Sequence, residues 1–313
     1  MISGISIVCF SASYAVALAL EMTRVLFRTV IRRVVLWIFL VAGLFAHTGY
    51  LVHRAQEGLS LRGAPLSNWY DWCLIAAWFV AAGYFLIALS RPTTTSGVFL
   101  LPMVLALVGV SCLFPPDQTF PPSTANRAWG MVHAFAWGVG TATVSLGFAA
   151  GVMYLLQSYR LKRKIPMTSG FRLPSLEWLG RLNERSLIVS SVLLAGGWFS
   201  GIVLNLIQSN QQGVGFPWSD PVVWTSGLLF LWLVAASLFS CYYRPVRMGR
   251  KVAYLTVANF VFLVFVLAIV FWSPTDHARD RSVDNRTPRK STPLTWLLKP
   301  VHRDDGATED PLS

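Results

Sequence analysis

Charged residues are scarce in this sequence, at 13% of its 313 positions, whereas an ordinary soluble domain has about a quarter. The remainder is correspondingly apolar, with 54% hydrophobic residues and a mean hydropathy of +0.54. This scarcity of charge excludes an ordinary soluble domain. Many glycine, tryptophan and phenylalanine residues are present instead, as is typical of multi-span membrane proteins.

Cysteine is also scarce, and its spacing excludes several kinds of site. The sequence has no C-x-x-C pair, so it signals neither a dithiol redox site nor a zinc site. It has no C-x-x-C-H either, so the chain is not itself a c-type cytochrome. We interpret the four isolated cysteines as small apolar core residues: Cys9, Cys73, Cys112 and Cys241.

Long apolar runs predict an all-α fold, a polytopic membrane bundle of about eight transmembrane helices, because one span needs about 20 apolar residues. The candidate spans are 4–20, 34–52, 69–90, 97–115, 129–157, 186–209, 222–243 and 252–272. We predict three segments: an N-terminal helix pair (1–59), a main transmembrane domain (60–277) and a polar, disordered tail (278–313). The first run has the character of a retained span, not a removed signal peptide.

Basic residues cluster in alternate connections between these spans, so topology explains the net charge of +12 better than nucleic-acid binding does. Three connections are basic, after spans one, five and seven, and the intervening ones hold few arginines. The positive-inside rule then places both termini on the non-cytoplasmic side. Seven Lys/Arg residues in the tail, 273–313, oppose this orientation.

Four of the five histidines fall at or near the non-cytoplasmic side in this topology: His47, His53, His133 and His277. An ionisable group inside a span is costly and usually faces a cavity or a partner, which favours a function for His133 and the deeper His47. A structural hydrogen bond remains the alternative for His133. An ordinary helix-end residue and a plain tail residue remain the alternatives for His53 and His277.

Trp129 and Trp137 lie four residues on either side of His133 and share its helical face. Asp220 lies in the loop before span seven, beside Trp218 and Trp224. Imidazoles next to aromatic surfaces suit haem iron. Zinc more often takes three or four closely placed ligands, which the sequence does not cluster. Simple helix packing also explains the two indoles around His133.

Four stretches, in order, resemble the CcsA/HemX-type cytochrome c assembly proteins, a haem-handling membrane family. They are "APLSNWYDWCLIAAWFV" (64–80), "WGMVHAFAWGVG" (129–140), "LGRLNERSLIVSSVLLAGGWFSGIV" (179–203) and "PWSDPVVWTSGLLFLWLVAA" (217–236). The resemblance covers about residues 60–277. It implies a haem-binding protein of c-type cytochrome biogenesis in a bacterial inner (plasma) membrane.

By this resemblance, His133 and His277 are the axial ligands of haem iron, and the haem surface maps to Phe216, Trp218, Asp220, Pro221 and Trp224. Trp129 and Trp137 are candidate wall residues, and His47 is a candidate intramembrane ligand. The sequence departs from the family pattern in two places. Its loop before span seven holds fewer tryptophans, and "SLFSCYYRP" has no histidine at the inner end of that span.

The resemblance implies that haem b, as a bound substrate, is presented for thioether attachment to an apocytochrome c carrying C-x-x-C-H. A CcsB (ResB)-type membrane partner is implied as well, which would make the chain one component of a cytochrome c haem lyase. No residue is assigned a catalytic role. Two alternatives stay open: a HemX-like regulator of tetrapyrrole synthesis and a transporter of haem or another organic anion.

Overall fold

The structure is a computed structural model of the chain. It describes residues 6–24, 30–62, 66, 68–115, 127–164, 171–212, 221–242 and 250–272. All regular secondary structure in these ranges is helical, which confirms the predicted all-α bundle. The helices are α1 (Ile7–Thr23), α2 (Val30–Arg62), α3 (Trp69–Ser90), α4 (Gly97–Ser111), α5 (Arg127–Lys162), α6 (Leu176–Gln212), α7 (Pro221–Tyr242) and α8 (Arg250–Trp272).

Six of the eight helices are long and apolar enough to cross a membrane, so the chain is a multi-pass membrane protein. The other two, α1 and α4, are apolar but have only 17 and 15 residues. At 1.5 Å per residue, each is somewhat shorter than a typical hydrocarbon core of about 30 Å.

The described helices form two groups of four. In the first group, α1 and α3 each pack against both α2 and α4. In the second, α5 and α7 each pack against both α6 and α8, and α6 also contacts α8. Contacts of α3 and α4 with α5 join the two groups. The larger core of buried apolar side chains extends from the first group into α5, α6 and α8, and a smaller core lies within the second group. Many large apolar residues elsewhere are exposed, as lipid-facing residues are.

Local sequence explains where two of the helices begin. At the start of α3, the side chain of Asn68 accepts a hydrogen bond from the Asp71 N–H at 2.7 Å, which satisfies a backbone donor at the helix terminus. Helix α6 begins ten residues before the predicted span at 186. Its added turns are polar, with an exposed Glu177–Arg181 pair at 3.3 Å, so hydropathy alone could not predict them.

Consecutive helices run antiparallel, which gives the bundle two ends. The histidine end is where α2, α4, α6 and α8 finish and α3, α5 and α7 begin. The arginine end is the opposite one, where α1, α3, α5 and α7 finish. These two names are used below without reference to the sides of the membrane.

The cysteines only partly follow the prediction of a core position. Cys73 is buried, but Cys9 and Cys112 are exposed, so the prediction was wrong for these two. The surroundings of a membrane helix are themselves apolar, and a small thiol on the surface therefore costs little there. The side chain of Cys241 lies outside the described residues.

Candidate functional site

His133 lies in the second turn of α5, near the histidine end, and faces α6. Its Nδ1 atom is 2.7 Å from the carbonyl oxygen of Gly197. A carbonyl oxygen can only accept a hydrogen bond, so Nδ1 carries the proton and donates it. The neutral ring then has its lone pair on Nε2, which is the tautomer that a metal-binding imidazole needs.

The polar surroundings of the ring reinforce this arrangement. The Ser200 hydroxyl donates to the same Gly197 carbonyl at 2.8 Å, and its oxygen lies 3.5 Å from His133 Nδ1. The Gly197 carbonyl thus accepts hydrogen bonds from both Ser200 and His133. Gly197 and Ser200 lie in one turn of α6. His133 itself is half-buried, so part of the residue remains accessible.

Two glycines of α6 make room for the rings of α5. A Cβ atom on Gly201 would lie 2.8 Å from His133 Cε1, and one on Gly197 would lie 2.8 Å from Trp137 Cδ1. Real Cβ atoms do not approach other heavy atoms this closely. The four-residue spacing of the glycines therefore matches that of the rings, and α6 provides the recess in which both rings lie.

The two tryptophans around His133 have different settings. Trp137 is tilted against the His133 ring with the centroids 6.3 Å apart. Its buried Nε1 has no hydrogen-bond partner among the described residues, so the indole acts as a packing group. Trp129, one turn nearer the histidine end, has 43% of its surface exposed and can meet a ligand.

Trp224 is in the first turn of α7, also at the histidine end, with 61% of its surface exposed. Helix α7 is held against α6 by the Trp198 and Phe230 rings, which stack at 4.8 Å. A Cβ on Gly227 would lie 3.6 Å from the Trp198 indole, an ordinary van der Waals contact, so this packing does not require a glycine. Helices α5 and α7, which carry His133 and Trp224, thus both pack against α6.

Three of the site residues predicted from the sequence lie outside the described residues: His277, Trp218 and Asp220. The same holds for Phe216. Their assignment to the haem surface and, for His277, to the iron remains a prediction.

His47 lies in a different setting, inside the first group of helices. It is fully buried, its ring stacks on Phe10 at 4.2 Å, and its Nδ1 is 3.3 Å from the Tyr14 hydroxyl. Its Nε2 is buried and has no hydrogen-bond partner within the part of the chain that the structure describes. The assignment of His47 as an intramembrane haem ligand remains a prediction.

The histidine end of α2 also carries an ion pair that fastens it to α3. Arg54 Nε donates to Asp71 Oδ1 at 3.0 Å, and the two side chains are only 14% and 4% exposed. His53 is 3.6 Å from Glu57 on its own helix. Helix α2 continues to Arg62, so His53 lies before the helix end and not at the end, where the apolar run places it.

Comparison with protein families gives one match. A family model described as "Cytochrome C assembly protein" matches residues 66–275, about two thirds of the chain. This chain belongs to the cytochrome c assembly protein family. No curated protein and no solved structure matches it.

Membership of the cytochrome c assembly family gives the chain a role in c-type cytochrome biogenesis. The matched range begins just before α3 and includes His133, its α6 partners and the loop with Trp218. His47 lies outside that range, and so does His277, by two residues.

The role of α6 in holding His133 is not evident from the sequence. Gly197 and Gly201 could be recognised as small residues four apart, and their spacing indicates a close helix contact. Nothing in the sequence shows that the contact is with His133. Ser200 carried no signal at all, since a serine inside a span is common at helix interfaces.

Proposed function

We propose that this chain binds haem b, as the substrate of cytochrome c assembly, through Nε2 of His133. It would present the haem at the histidine end, on the non-cytoplasmic side, for attachment to an apocytochrome c carrying C-x-x-C-H. The observation that supports the proposal most is the 2.7 Å hydrogen bond between His133 Nδ1 and the Gly197 carbonyl. A second-shell carbonyl of this kind fixes the ring orientation and raises ligand basicity.

The residues around His133 fit a haem. The imidazole is half-buried and held in one orientation by α6, so it needs little reorganisation to bind iron. Exposed indoles are present at the same end of the bundle, on Trp129 and Trp224, and flat aromatic surfaces suit a macrocycle. His277 is proposed as the second axial ligand, with Trp218 and Asp220 on the loop that covers the haem.

The bound haem supplies two vinyl groups, and the cysteine thiols of the apocytochrome supply the sulfur. Each S–H adds across a vinyl C=C: sulfur bonds to one carbon and hydrogen to the other, so no outside oxidant is needed. The role of His133 is to hold the iron and the plane of the ring in one position. Trp137, one turn further along α5, packs against the ring of His133 and helps to hold it.

A CcsB (ResB)-type partner with a large domain on the non-cytoplasmic side is part of this proposal, and together the two chains would form the haem lyase. The orientation follows from the basic connections at the arginine end, which the positive-inside rule assigns to the cytoplasm. A bacterial inner membrane is the proposed location.

A cytochrome maturation assay tests the proposal. Cells lacking the endogenous protein would express this chain together with a secreted apocytochrome c, and covalent haem on the reporter would be measured after denaturing electrophoresis. We expect His133→Ala to lower the yield at least about tenfold, because removing a haem ligand leaves the iron loosely held. His53→Ala is the matched control at the same end, and it should mature the reporter normally.

Normal maturation with His133→Ala, at equal protein levels in the membrane, would contradict the proposal. That result would favour the HemX-like regulator, which acts through protein contact and does not require a haem ligand.

A further inference from the structure

A recess lined by arginines opens at the arginine end, between α1, α2 and the end of α3. Among the described residues, four guanidinium groups and a single carboxylate line it, those of Arg24, Arg32, Arg33, Arg91 and Glu21. Trp37 and Tyr84 are also part of its wall. The described part of the lining therefore carries four basic groups against one acidic group.

Two of these arginines are fixed by the protein itself. Arg24 donates to the Thr94 carbonyl at 2.6 Å and lies 3.7 Å from Glu21. Arg32 donates to the Leu20 carbonyl at 2.6 Å. Glu21 in turn accepts from the Tyr84 hydroxyl at 3.0 Å, so the only carboxylate is already engaged and compensates only one of the positive charges.

The other two arginines, Arg33 and Arg91, are exposed. Arg91 lies over the ring of Trp178, with its guanidinium carbon 5.8 Å from the ring centroid. The free volume of the recess is only about 20 Å³, little more than a water molecule needs. An organic anion cannot enter it, so a ligand would lie at its mouth, where these two side chains are.

An exposed apolar stripe runs along α2 beside the recess. Its residues are spaced three and four apart, which places them on one side of the helix, and between 49% and 76% of each surface is exposed: Ile31, Val34, Ile38, Val41 and Phe45. The stripe lies next to the side of α2 that carries Arg33 and Trp37. A ligand at the mouth therefore meets positive charge and a long apolar surface at once.

We propose that this recess binds the phosphate headgroup of an anionic phospholipid, with an acyl chain lying along the apolar stripe of α2. Basic pockets between transmembrane helices suit such headgroups, and a guanidinium binds phosphate through paired hydrogen bonds. Arg33 and Arg91 contact the phosphate from the two sides of the mouth. Arg24 and Arg32 add positive charge from within. Arg32 also fastens α2 to α1, and Arg24 fastens the end of α1 to the connection between α3 and α4.

Quantitative lipid mass spectrometry on the purified protein tests this proposal. The full chain would be exchanged into detergent with a titrated amount of phosphatidylglycerol, and the bound lipid per chain would be measured. The double variant Arg33→Gln/Arg91→Gln should bind phosphatidylglycerol about 30-fold more weakly, at about fivefold per surface arginine. Both residues are exposed, so the variant should keep its fold, which a melting curve in detergent would verify.

Lys162→Gln/Arg163→Gln is the matched control, because it removes two exposed positive charges from the same end of the bundle, on α5. It should bind phosphatidylglycerol as the unchanged protein does. Phosphatidylcholine, which has the same acyl chains but no net charge, should bind at least about tenfold more weakly to the unchanged protein.

Three results would overturn the proposal. One is equal loss of lipid in both double variants, which would indicate only a general charge effect. Another is equal binding of phosphatidylcholine, which would indicate apolar contact alone. The third is displacement of the lipid by millimolar inorganic phosphate, which would indicate a site for a free anion. None of these measurements depends on haem binding, so they are independent of the proposed function.

Discussion

At the scale of single residues, the central feature is the tautomer of His133. The Gly197 carbonyl holds the proton on Nδ1, and this leaves a basic nitrogen on the other edge of the ring. Helix α6 holds the ring in place at Gly201, because glycine has no side chain and leaves room for His133 Cε1. The same two helices thus determine both the protonation and the position of the ring.

Gly201→Ala should therefore disturb the site. The added Cβ would lie 2.8 Å from His133 Cε1, so the ring or the helix must move, at a cost of about 1–3 kcal/mol in unfolding free energy. We expect a lower free energy of unfolding in a detergent titration and weaker haem binding in the same preparation.

Gly196→Ala is the matched control, one residue from Gly197 on the same helix. A Cβ there would meet no atom within 4 Å, and alanine is the better helix former, so this variant should be equally stable or about 0.5–1 kcal/mol more stable. If Gly201→Ala behaved like Gly196→Ala, the close contact with His133 would be refuted.

The sequence predicts the residues of this site better than it predicts their contacts. His133 stands out because an imidazole inside an apolar run needs a partner. Its partner is a backbone carbonyl, however, and a carbonyl carries no sequence signature. His47 shows the same limit: its position is visible in the sequence, but its burial against Phe10 and Tyr14 depends on how α1 packs.

At the scale of the helices, the Arg54–Asp71 pair fastens the long α2 to the start of α3. Because both side chains are nearly buried, removing one partner leaves an uncompensated charge in an apolar setting. Asp71→Asn should therefore lower the unfolding free energy by about 3 kcal/mol. Arg54→Gln should do the same, and the double variant should cost less than the sum of the two, as a double-mutant cycle would measure.

The exposed Glu177–Arg181 pair provides the contrast. Its side chains are 66% and 58% exposed, and Glu177→Gln should change the unfolding free energy by less than about 1 kcal/mol.

Additive effects of the Arg54 and Asp71 substitutions in the double-mutant cycle would show that their ion pair does not couple α2 to α3.

Helix positions were largely predictable from the apolar runs, because hydropathy sets the length of a span. The predicted range for α3 agrees with the structure. The prediction failed where helices continue beyond the apolar run, as at the start of α6. There the polar turns are stabilised by local pairs and by packing of residues such as Leu179, which is fully buried.

At the scale of the whole molecule, the bundle consists of two groups of four helices, and only the second contains His133. Hydropathy predicts spans but not their neighbours, since every span needs an apolar surface whichever helix it meets. The sequence shows no internal repeat, so the similar arrangement of the two groups could not be predicted. The haem-binding proposal concerns the second group, and the lipid site lies in the first.

Labelling with a membrane-impermeant maleimide tests the proposed orientation. In a variant with its four cysteines replaced by alanine, a new cysteine at His53 should react in intact cells, because it lies at the histidine end. A cysteine at Arg163, at the arginine end, should react only after the membrane is permeabilised. The reverse pattern would place the His133 site in the cytoplasm and contradict attachment of haem on the opposite side.

The visible spectrum of the purified protein, oxidised and reduced, tests the central claim most directly. After loading with haem, the unchanged chain should show a Soret band and sharp α and β bands in the reduced form. His133→Gly should lose them, and added imidazole should restore them, because a free ligand can replace the missing ring. A spectrum unchanged by His133→Gly, or no haem bound by the unchanged chain, would contradict the assignment of His133 as a haem ligand.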